Sequence, residues 1–364
     1  MASGFSRTNA GLSSSRMKTQ PAALQTGLRR IDVADVPMPS PKAGEVLIEL
    51  SAVGVCGSDL HYFRIGRIGT HALTFPQILG HEPAGTIVGL GKGVRGLKEG
   101  QSVAIEPGIE CGKCKACRQG RQNLCYHMRF LGGPGNTGAF QRYLAMPAAC
   151  AKPLPKGVDP ALASAAEPLG IALHAMKLVR LKRNDPVAVI GGGPIGLSVA
   201  AMVRTAGAKV VTLSDPRAVR REAATKLGVA RAVEPGAFVD TVRDATGGLG
   251  ASVVFECSGA PEAFDAGVAA AERGARIALV GITETNDLTV DPHAWRQREL
   301  EIVQVRRSNH ALDGVLPHLK RGDLGLRRAG FFSGTIGLGG LQAAFEELED
   351  SASPAVKIVV DPRT

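Results

Sequence analysis

The stretch Pro186-Val-Ala-Val-Ile-Gly-Gly-Gly-Pro-Ile-Gly196 joins a continuous apolar run to a glycine-rich turn. The apolar run is typical of a strand buried in a parallel sheet. Glycines at 191, 193 and 196 have the Gly-x-Gly-x-x-Gly spacing, and apolar residues follow at helical spacing as far as Gly207. A strand, this turn and a helix in succession indicate a dinucleotide-binding unit, whereas the turn alone could be merely structural.

The next predicted strand, residues 209–215, ends in an acidic residue. This is the position at which a residue that binds the ribose of the cofactor is expected. Asp215 lies 24 positions after the first glycine and would accept hydrogen bonds from both ribose hydroxyls while repelling a 2′-phosphate. Arg217, Arg220 and Arg221 are close enough in sequence to soften that repulsion, although we expect Arg220 to hold the adenosine ribose or phosphate. The expected cofactor is therefore NAD rather than NADP.

Many short strand-like segments precede this unit, with Gly and Pro between them, at residues 28–36, 45–50, 86–88 and 102–105. This pattern predicts a β-rich, barrel-like domain. Before it, residues 1–16 are rich in Ser, Gly and Ala, and we expect them to form a disordered extension ahead of Met17.

Beyond the glycine-rich turn, apolar runs at 251–256 and 275–281 predict further buried strands. The dinucleotide unit therefore extends to about residue 305. Residues 306–364 contain helix-like and strand-like pieces, and the apolar run 358–360 could return to the first domain as a strand.

Four cysteines form a compact group with the spacing C-x2-C-x2-C-x7-C, namely Cys111, Cys114, Cys117 and Cys125. Four thiolates this close can surround one tetrahedral ion, which leaves no coordination position for a substrate. The group therefore predicts a structural zinc. An iron–sulfur cluster and a nucleic-acid-binding zinc ribbon are the alternatives, although no aromatic residues interleave for base stacking.

A second set of potential ligands is spread over three short motifs. Cys56 lies in Val53-Gly-Val-Cys-Gly-Ser-Asp-Leu-His-Tyr62, where a short strand is expected to give way to a turn. His81 and Glu82 adjoin in Gly-His-Glu-Pro, and Glu167 opens a predicted helix in Ala-Glu-Pro. One Cys, one His and carboxylates suit a catalytic zinc with an open position, although Glu167 could merely complement the helix dipole.

Composition bounds the protein class. The chain has 364 residues, so two domains are expected, and 44% apolar with 21% charged residues is ordinary for a globular protein.

The net charge of +10 is spread along the chain, so we expect no nucleic-acid partner. No apolar run approaches the ~18 residues of a membrane span. Four of seven cysteines have metal-type spacing, which indicates a reducing, cytoplasmic setting.

Residues 17–364 resemble the zinc-dependent medium-chain alcohol dehydrogenase family, and within it the polyol branch of sorbitol and xylitol dehydrogenases. The residues that carry the resemblance are Cys56-Gly-Ser-Asp, His61-Tyr62, Gly66-Arg-Ile-Gly69, Gly80-His-Glu82, Ala104-Ile-Glu-Pro-Gly108, the four-Cys loop, Glu167-Pro168 and Gly191–Gly196.

This resemblance implies an α/β protein in three parts. A GroES-like β-rich catalytic domain would span 17–165, with the structural zinc loop at 111–125. A Rossmann-fold NAD-binding domain would span 166–305, and residues 306–364 would return to the catalytic domain. The resemblance also implies a homotetramer.

The resemblance further implies roles for individual residues. Cys56 and His81 would bind the catalytic zinc, and Glu82 or Glu167 would complete its shell directly or through water. Ser58 and His61 would pass the substrate proton to solvent. The substrate would contact Tyr62, Phe130, Glu167, Arg306 and Arg307. The cofactor would contact Gly191, Gly193, Ile195, Gly196, Asp215, Arg220, Val280, Gly281 and Val305.

The expected reaction is NAD-linked oxidation of a secondary hydroxyl of a sugar alcohol, of the xylitol or sorbitol type, to a ketose. A threonine dehydrogenase-like enzyme, a polyol-phosphate dehydrogenase and a zinc-binding nucleic-acid adaptor are the alternatives. Arg307 stands where polyol enzymes often have Tyr. We expect its side chain to face solvent, which leaves a neutral polyol as substrate; an inward side chain would favour a polyol phosphate or a sugar acid.

Overall fold

A computed structural model describes residues 18–285 and 287–364, so the predicted extension 1–16 lies outside the described residues. The first part of the chain consists mainly of short strands. Its elements are β1 (Thr19–Gly27), β2 (Arg30–Pro37), β3 (Glu45–Gly54), α1 (Gly57–Ile65), β4 (Arg67–Ile68), β5 (His71–Ala72), β6 (Gln77–Ile78), β7 (Glu82–Leu90), β8 (Ser102–Ile105), β9 (Gly108–Ile109), α2 (Lys115–Arg118), β10 (Arg129–Phe130), β11 (Tyr143–Pro147), β12 (Ala151–Pro153) and α3 (Pro160–Ser164).

The second part alternates helices with strands. Its elements are α4 (Ala166–Leu178), β13 (Pro186–Ile190), α5 (Pro194–Thr205), β14 (Lys209–Ser214), α6 (Ala218–Lys226), β15 (Arg231–Val233), α7 (Phe238–Ala245), β16 (Ala251–Glu256), α8 (Pro261–Ala270), β17 (Ala271–Leu279), α9 (Pro292–Arg298) and β18 (Glu301–Gln304). The six strands are parallel, in the order β15-β14-β13-β16-β17-β18. This is the 3-2-1-4-5-6 order of a dinucleotide-binding Rossmann sheet.

The last part of the chain rejoins the first. It contains α10 (Leu312–Arg321), β19 (Phe332–Ile336), α11 (Leu341–Glu349) and β20 (Lys357–Val360). β20 lies antiparallel to β3, with Val360 opposite Val53, and β19 lies parallel to β20. The order β12-β8-β7-β3-β20-β19, with β11 also on β3, gives one seven-stranded sheet to which the β-rich first part and the last part of the chain both contribute.

An aromatic cluster ties the C-terminal helix α11 to the first part. The ring of Phe345 stacks on Phe63 of α1 at 4.9 Å between centroids and meets Phe140 edge-on at 6.2 Å. All three side chains are fully buried. Because aromatic side chains bury large apolar areas, this cluster should be a main source of the free energy that holds the C-terminal part in place.

The observed elements differ from the sequence expectations in three places. The strand Thr19–Gly27 was not predicted, and the predicted strand 28–36 is Arg30–Pro37. Cys56 does not precede a simple turn, because helix α1 begins directly after it. The sequence of residues 139–145 also predicts a strand, but this strand begins only at Tyr143, since the backbone N–H groups of Ala139 and Phe140 donate instead to the carbonyl groups of Gly80 and Leu79.

The longest helix among the described residues, α4, has 13 residues. A helix needs roughly 20 apolar residues to cross a bilayer. Within the described parts of the chain, no helix has the length and apolar character for this.

Replacing Phe345 with Ala should lower the free energy of unfolding by about 3–5 kcal/mol, because it leaves a cavity between two other rings. Chemical denaturation monitored by circular dichroism measures this loss. As a control, Leu249→Ala removes a large apolar side chain that is 73% exposed and should change stability by less than ~0.5 kcal/mol. Equal stability of the two variants would contradict the proposed importance of the aromatic cluster.

Candidate metal and dinucleotide site between the two domains

A cavity of about 1530 Å³ lies between the β-rich part and the Rossmann sheet. Residues proposed from the sequence line it from both sides, so the fold brings together side chains from distant segments. Those lining it are Cys56, Ser58, His61, Tyr62, His81, Glu82, Phe130, Glu167, Gly191, Gly193, Ile195, Asp215, Arg220, Val280, Gly281, Val305, Arg306 and Arg307. Gly196 does not line the cavity; it packs beneath the glycine-rich turn.

Three potential metal ligands meet at one end of the cavity. Cys56, His81 and Glu82 offer ligand atoms that all lie within 4.8 Å of one another. Cys56 immediately precedes the first turn of α1, where free backbone N–H groups favour a negative charge. A thiolate, an imidazole and a carboxylate form a donor set that suits zinc, and the cavity beside them leaves room for a further ligand.

Asp59 holds this cluster in shape, although the sequence did not single it out as a site residue. Its carboxylate accepts a hydrogen bond from the Cys56 amide at 3.1 Å and one from the Gly80 amide at 3.3 Å. The same carboxylate lies 3.3 Å from His81 Nδ1. A carboxylate behind the second ring nitrogen fixes the tautomer and orientation of a metal-binding imidazole. Burial lowers the pKa of His81, but the charges of Asp59 and Cys56 outweigh it and hold the pKa well above its usual range.

Lys357 is a second residue that the sequence did not reveal. Its ammonium forms an ion pair with Glu82 Oε2, and both side chains are at most 1% exposed. Gly54 of β3 makes room for the pair, because a Cβ there would lie 2.1 Å from that oxygen and 2.8 Å from Lys357 Cε. The other oxygen of the buried Glu82 carboxylate, Oε1, has no hydrogen-bond partner within the described residues, so no protein donor competes with a metal ion for this oxygen.

Glu167, the other predicted carboxylate ligand, lies outside the close trio but borders the same cavity. It is buried in the first turn of α4. Burial raises its pKa to about 8, with His81 opposing and Glu82 reinforcing that rise. The distances therefore group Glu82, rather than Glu167, with Cys56 and His81.

Ser58 and His61 are one helical turn apart in α1 and both border the cavity. Ser58 Oγ lies 3.4 Å from Cys56 Sγ and 3.3 Å from His81 Nε2, next to the proposed metal position. His61 Nδ1 is 3.9 Å from Glu284, which also pairs with Arg64. Burial, followed by the charge of Arg64, lowers the pKa of His61, so this imidazole is neutral near pH 7 and can accept a proton.

The four cysteines also converge. Cys111, Cys114, Cys117 and Cys125 have sulfur atoms within 4.8 Å of one another. The Cys114 sulfur lies 3.5 Å from that of Cys117 and 3.9 Å from that of Cys125. Sulfurs around one tetrahedral zinc with bonds of ~2.3 Å are separated by about 3.8 Å. An iron–sulfur cluster distributes its cysteines over several irons and separates them further, so the spacing fits a single ion.

The glycine-rich turn has the close approaches that a dinucleotide site requires. Gly191 has φ +90°, and a Cβ there would lie 2.9 Å from the Ser258 amide nitrogen. A Cβ at Gly196 would lie 1.8 Å from the Gly191 carbonyl oxygen, so only glycine allows α5 to pack this close. Helix α5 begins at Pro194 after Gly193, and free N–H groups at such a terminus bind phosphate.

Asp215 is oriented by the turn and by its arginine neighbours. Its carboxylate accepts hydrogen bonds from the amides of Gly192 and Arg217, both at 2.8 Å, and lies 3.4 Å from an Arg220 nitrogen. Arg221 donates to the Asp215 backbone carbonyl at 2.9 Å and to Glu234 at 3.1 Å, not to the Asp215 carboxylate. Of the three arginines, only Arg220 therefore contacts the carboxylate through its side chain.

The orientation expected for Arg307 was wrong. Its guanidinium does not face solvent but lies over the Phe130 ring, 4.5 Å from the centroid, on the wall of the cavity. The cation–π contact with Phe130 favours this position over solvent, and the Arg307 backbone is left-handed, with φ +57°. Tyr62 borders the same region, and burial raises the pKa of its phenol, so that it stays a hydrogen-bond donor at neutral pH.

Comparison with known families agrees with this geometry. Residues 42–156 match the model of the alcohol dehydrogenase GroES-like domain, and residues 194–321 match that of zinc-binding dehydrogenases. The chain belongs to the zinc-dependent medium-chain alcohol dehydrogenase family and is an oxidoreductase of that class. The predicted combination of a GroES-like domain with a Rossmann domain is confirmed.

Individual relatives differ in what they act on. Sorbitol dehydrogenase of Bacillus subtilis (strain 168) is 35% identical over 79% of this chain and 82% of its own length. L-threonine 3-dehydrogenase of Pyrococcus abyssi is 38% identical over 73% of this chain and 75% of its own length. 2-Dehydro-3-deoxy-L-galactonate 5-dehydrogenase of Pseudoalteromonas atlantica is 34% identical over 90% of this chain and 95% of its own length. The structure of a zinc-binding dehydrogenase from Sinorhizobium meliloti 1021, solved with NADP, superposes on this chain with a TM-score of 0.86 at 29% sequence identity. The superposition covers 95% of this chain and 100% of that one.

Replacing Lys357 with Met should destabilise the protein by about 3–5 kcal/mol, because it leaves the Glu82 carboxylate buried without its counter-charge. The double variant Lys357→Met/Glu82→Gln should regain most of that loss, which a denaturation-based double-mutant cycle measures. As a control, Lys152→Met breaks an ion pair whose Asp313 partner is 65% exposed and should cost less than ~1 kcal/mol. Additive effects of the two single changes would show that the pair does not interact.

Proposed function

We propose that this protein is a zinc-dependent, NAD-linked dehydrogenase that oxidises a secondary hydroxyl of a sugar alcohol to a ketose. The observation that carries the proposal is a single cavity with the Cys56, His81 and Glu82 cluster at one end and the glycine-rich turn at the other. A hydroxyl-bearing carbon held at the first end can therefore face a nicotinamide whose pyrophosphate rests on α5.

In this proposal each residue has a defined task. Zinc, when bound, supplies Lewis acidity that lowers the pKa of the substrate hydroxyl, and the nicotinamide accepts the hydride. Cys56 and His81 hold the metal, with Glu82 or Glu167 as the carboxylate. Ser58 receives the hydroxyl proton and passes it to His61, whose lowered pKa keeps the imidazole ready to accept it.

The cofactor assignment follows from Asp215. Its carboxylate is held at the end of β14, where it can accept hydrogen bonds from two ribose hydroxyls and repel a 2′-phosphate. Arg220 adds a cation beside the adenosine ribose. The proposal favours NAD, although one structural neighbour was solved with NADP.

Polar side chains around the cavity support a substrate with several hydroxyls. Tyr62, Glu167 and Arg306 offer a phenol, a carboxyl and a guanidinium, each of which needs a partner once water is expelled. Sorbitol dehydrogenase among the relatives supports this choice, and L-threonine 3-dehydrogenase supports threonine as the second candidate. As part of the same proposal, the enzyme is a cytoplasmic homotetramer.

We predict two zinc ions per chain, measured by elemental analysis of active protein. Cys56→Ala should leave one zinc, a folded protein and no turnover, because it removes a ligand at the cavity. Cys114→Ser should also leave one zinc but should lower the melting temperature, because a structural zinc contributes folding free energy. The control Cys150→Ser changes a buried cysteine outside both sets and should keep two. One zinc or none in active wild-type protein would contradict the prediction.

The reaction itself is tested by following NAD reduction with xylitol, sorbitol, threonine and ethanol. A polyol should exceed ethanol in kcat/KM by ~10³-fold or more, because ethanol leaves the polar groups that line the cavity without partners. NADP should be poorer than NAD by about 100-fold, since a 2′-phosphate would face Asp215. Threonine as the best substrate would replace the polyol assignment, and equal efficiency with NADP would show that the arginines outweigh the acid.

A further inference from the structure

The segment 305–309 is held rigidly at the edge of the cavity. It follows β18 at the carboxyl ends of the parallel strands, where ligands bind in such sheets. Asn123 of the four-Cys loop donates to the Arg306 carbonyl at 3.0 Å, and Asn309 donates back to the Gly120 carbonyl at 2.7 Å. The backbone that presents the two arginines is therefore fixed to the cysteine loop before any ligand arrives.

Arg307 has a backbone conformation that residues with a side chain rarely adopt, with φ +57°. Such conformations persist where surrounding contacts enforce them, and they cluster at ligand sites. The Arg307 guanidinium lies over the Phe130 ring, 4.5 Å from its centroid, and the Phe130 ring lies 5.4 Å from the His81 ring. Phe130 thus contacts both the Arg307 guanidinium and the imidazole of the metal cluster.

The positive charge of this arginine pair is not compensated by protein. Within residues 18–285 and 287–364, neither Arg306 nor Arg307 has a carboxylate within ion-pair distance or a side-chain hydrogen bond. Glu106, Glu110 and Glu167 border a small cavity that Arg307 also lines, but none of them forms an ion pair with this arginine. Burial, followed by the charge of Arg306, lowers the pKa of Arg307 to about 10. A partly desolvated, unpaired cation is costly unless a ligand supplies the anion.

We infer that Arg306 and Arg307 form an anion subsite in the substrate cleft, so that the true substrate carries a carboxylate or phosphate a few carbons from the reacting hydroxyl. The inference rests on the proposed dehydrogenase function and replaces a neutral sugar alcohol with a polyhydroxylated substrate that carries an anionic group. The Arg307 guanidinium packs over the Phe130 ring and its N–H groups have no hydrogen-bond partner in the described residues, so they are free for a bidentate contact that either anion accepts. A polyol phosphate and a sugar acid are the two sources of this chemistry.

The test compares substrates that share a carbon skeleton. Sorbitol, sorbitol 6-phosphate and gluconate are assayed with NAD and the zinc-loaded enzyme, alongside xylitol and xylonate. The anionic member should have the higher kcat/KM, mainly through a lower KM. Arg307→Ala should reduce the anionic-to-neutral ratio of kcat/KM by roughly 10–100-fold, the value of one charge-assisted contact. The ratio for Arg307→Lys should lie between those of wild type and Arg307→Ala, because an ammonium carries the charge but cannot make the bidentate hydrogen bonds of a planar guanidinium.

Arg129→Ala is the matched control. Arg129 is exposed on the strand that carries Phe130, so the variant loses the same charge without changing the cavity wall, and its ratio should equal that of wild type. Preference for the phosphate or for the carboxylate supports the subsite and identifies the source. An unchanged ratio in folded Arg307→Ala, with neutral polyols still oxidised, overturns the subsite and leaves the dehydrogenase proposal intact.

If no secondary alcohol reduces NAD, the dehydrogenase proposal fails. The anion subsite is then tested separately, by measuring whether the protein binds the anionic compounds. The melting temperature of the NAD-bound protein is then measured with and without gluconate or sorbitol 6-phosphate. The subsite is supported if the anion raises the melting temperature of the wild-type protein and of Arg129→Ala but not that of Arg307→Ala. The absence of any rise that depends on Arg307 overturns it.

Discussion

The buried ion pair between Lys357 and Glu82 joins the candidate metal site to the architecture of the protein. Removing two charges from water costs several kcal/mol per ion, which only a tight pair can offset. Glu82 begins β7 and Lys357 begins β20, and the two strands flank β3 at Gly54. The central strand, the C-terminal strand and the metal cluster therefore form one unit, in which the glycine at position 54 is required by the space that the pair occupies.

Short-range patterns were sufficient to predict the parts of the site whose geometry is local. The spacing between Gly191 and Gly196 specifies a turn that only glycine can make, and the structure has that turn between β13 and α5. The spacing of the four cysteines likewise places four sulfurs around one point. In both segments the distance along the chain nearly determines the distance in space, so the sequence alone was informative.

The parts that escaped prediction depend on contacts between distant segments. Lys357 opens an apolar strand and nothing near it in sequence indicates Glu82 as its partner. The helix with Asp59 was missed because only Phe63 among its apolar residues is fully buried, which leaves no clear period. The inward turn of Arg307 follows from a left-handed residue and from Phe130, neither of which leaves a sequence pattern.

The late position of β20 in the chain also has a consequence for biosynthesis. A nascent chain emerges from the ribosome N-terminus first, so β3, β7 and the Cys56, His81 and Glu82 cluster are made before the whole Rossmann domain. Until β20 is made, the end of β3 at Val53 and Gly54 lacks the strand that pairs with it, although β11 already covers residues 45–49, and the Glu82 carboxylate lacks its Lys357 partner. The metal-binding half thus cannot complete its fold ahead of the nucleotide-binding half, and a chain stalled before Lys357 would expose an open sheet edge to chaperones or to aggregation.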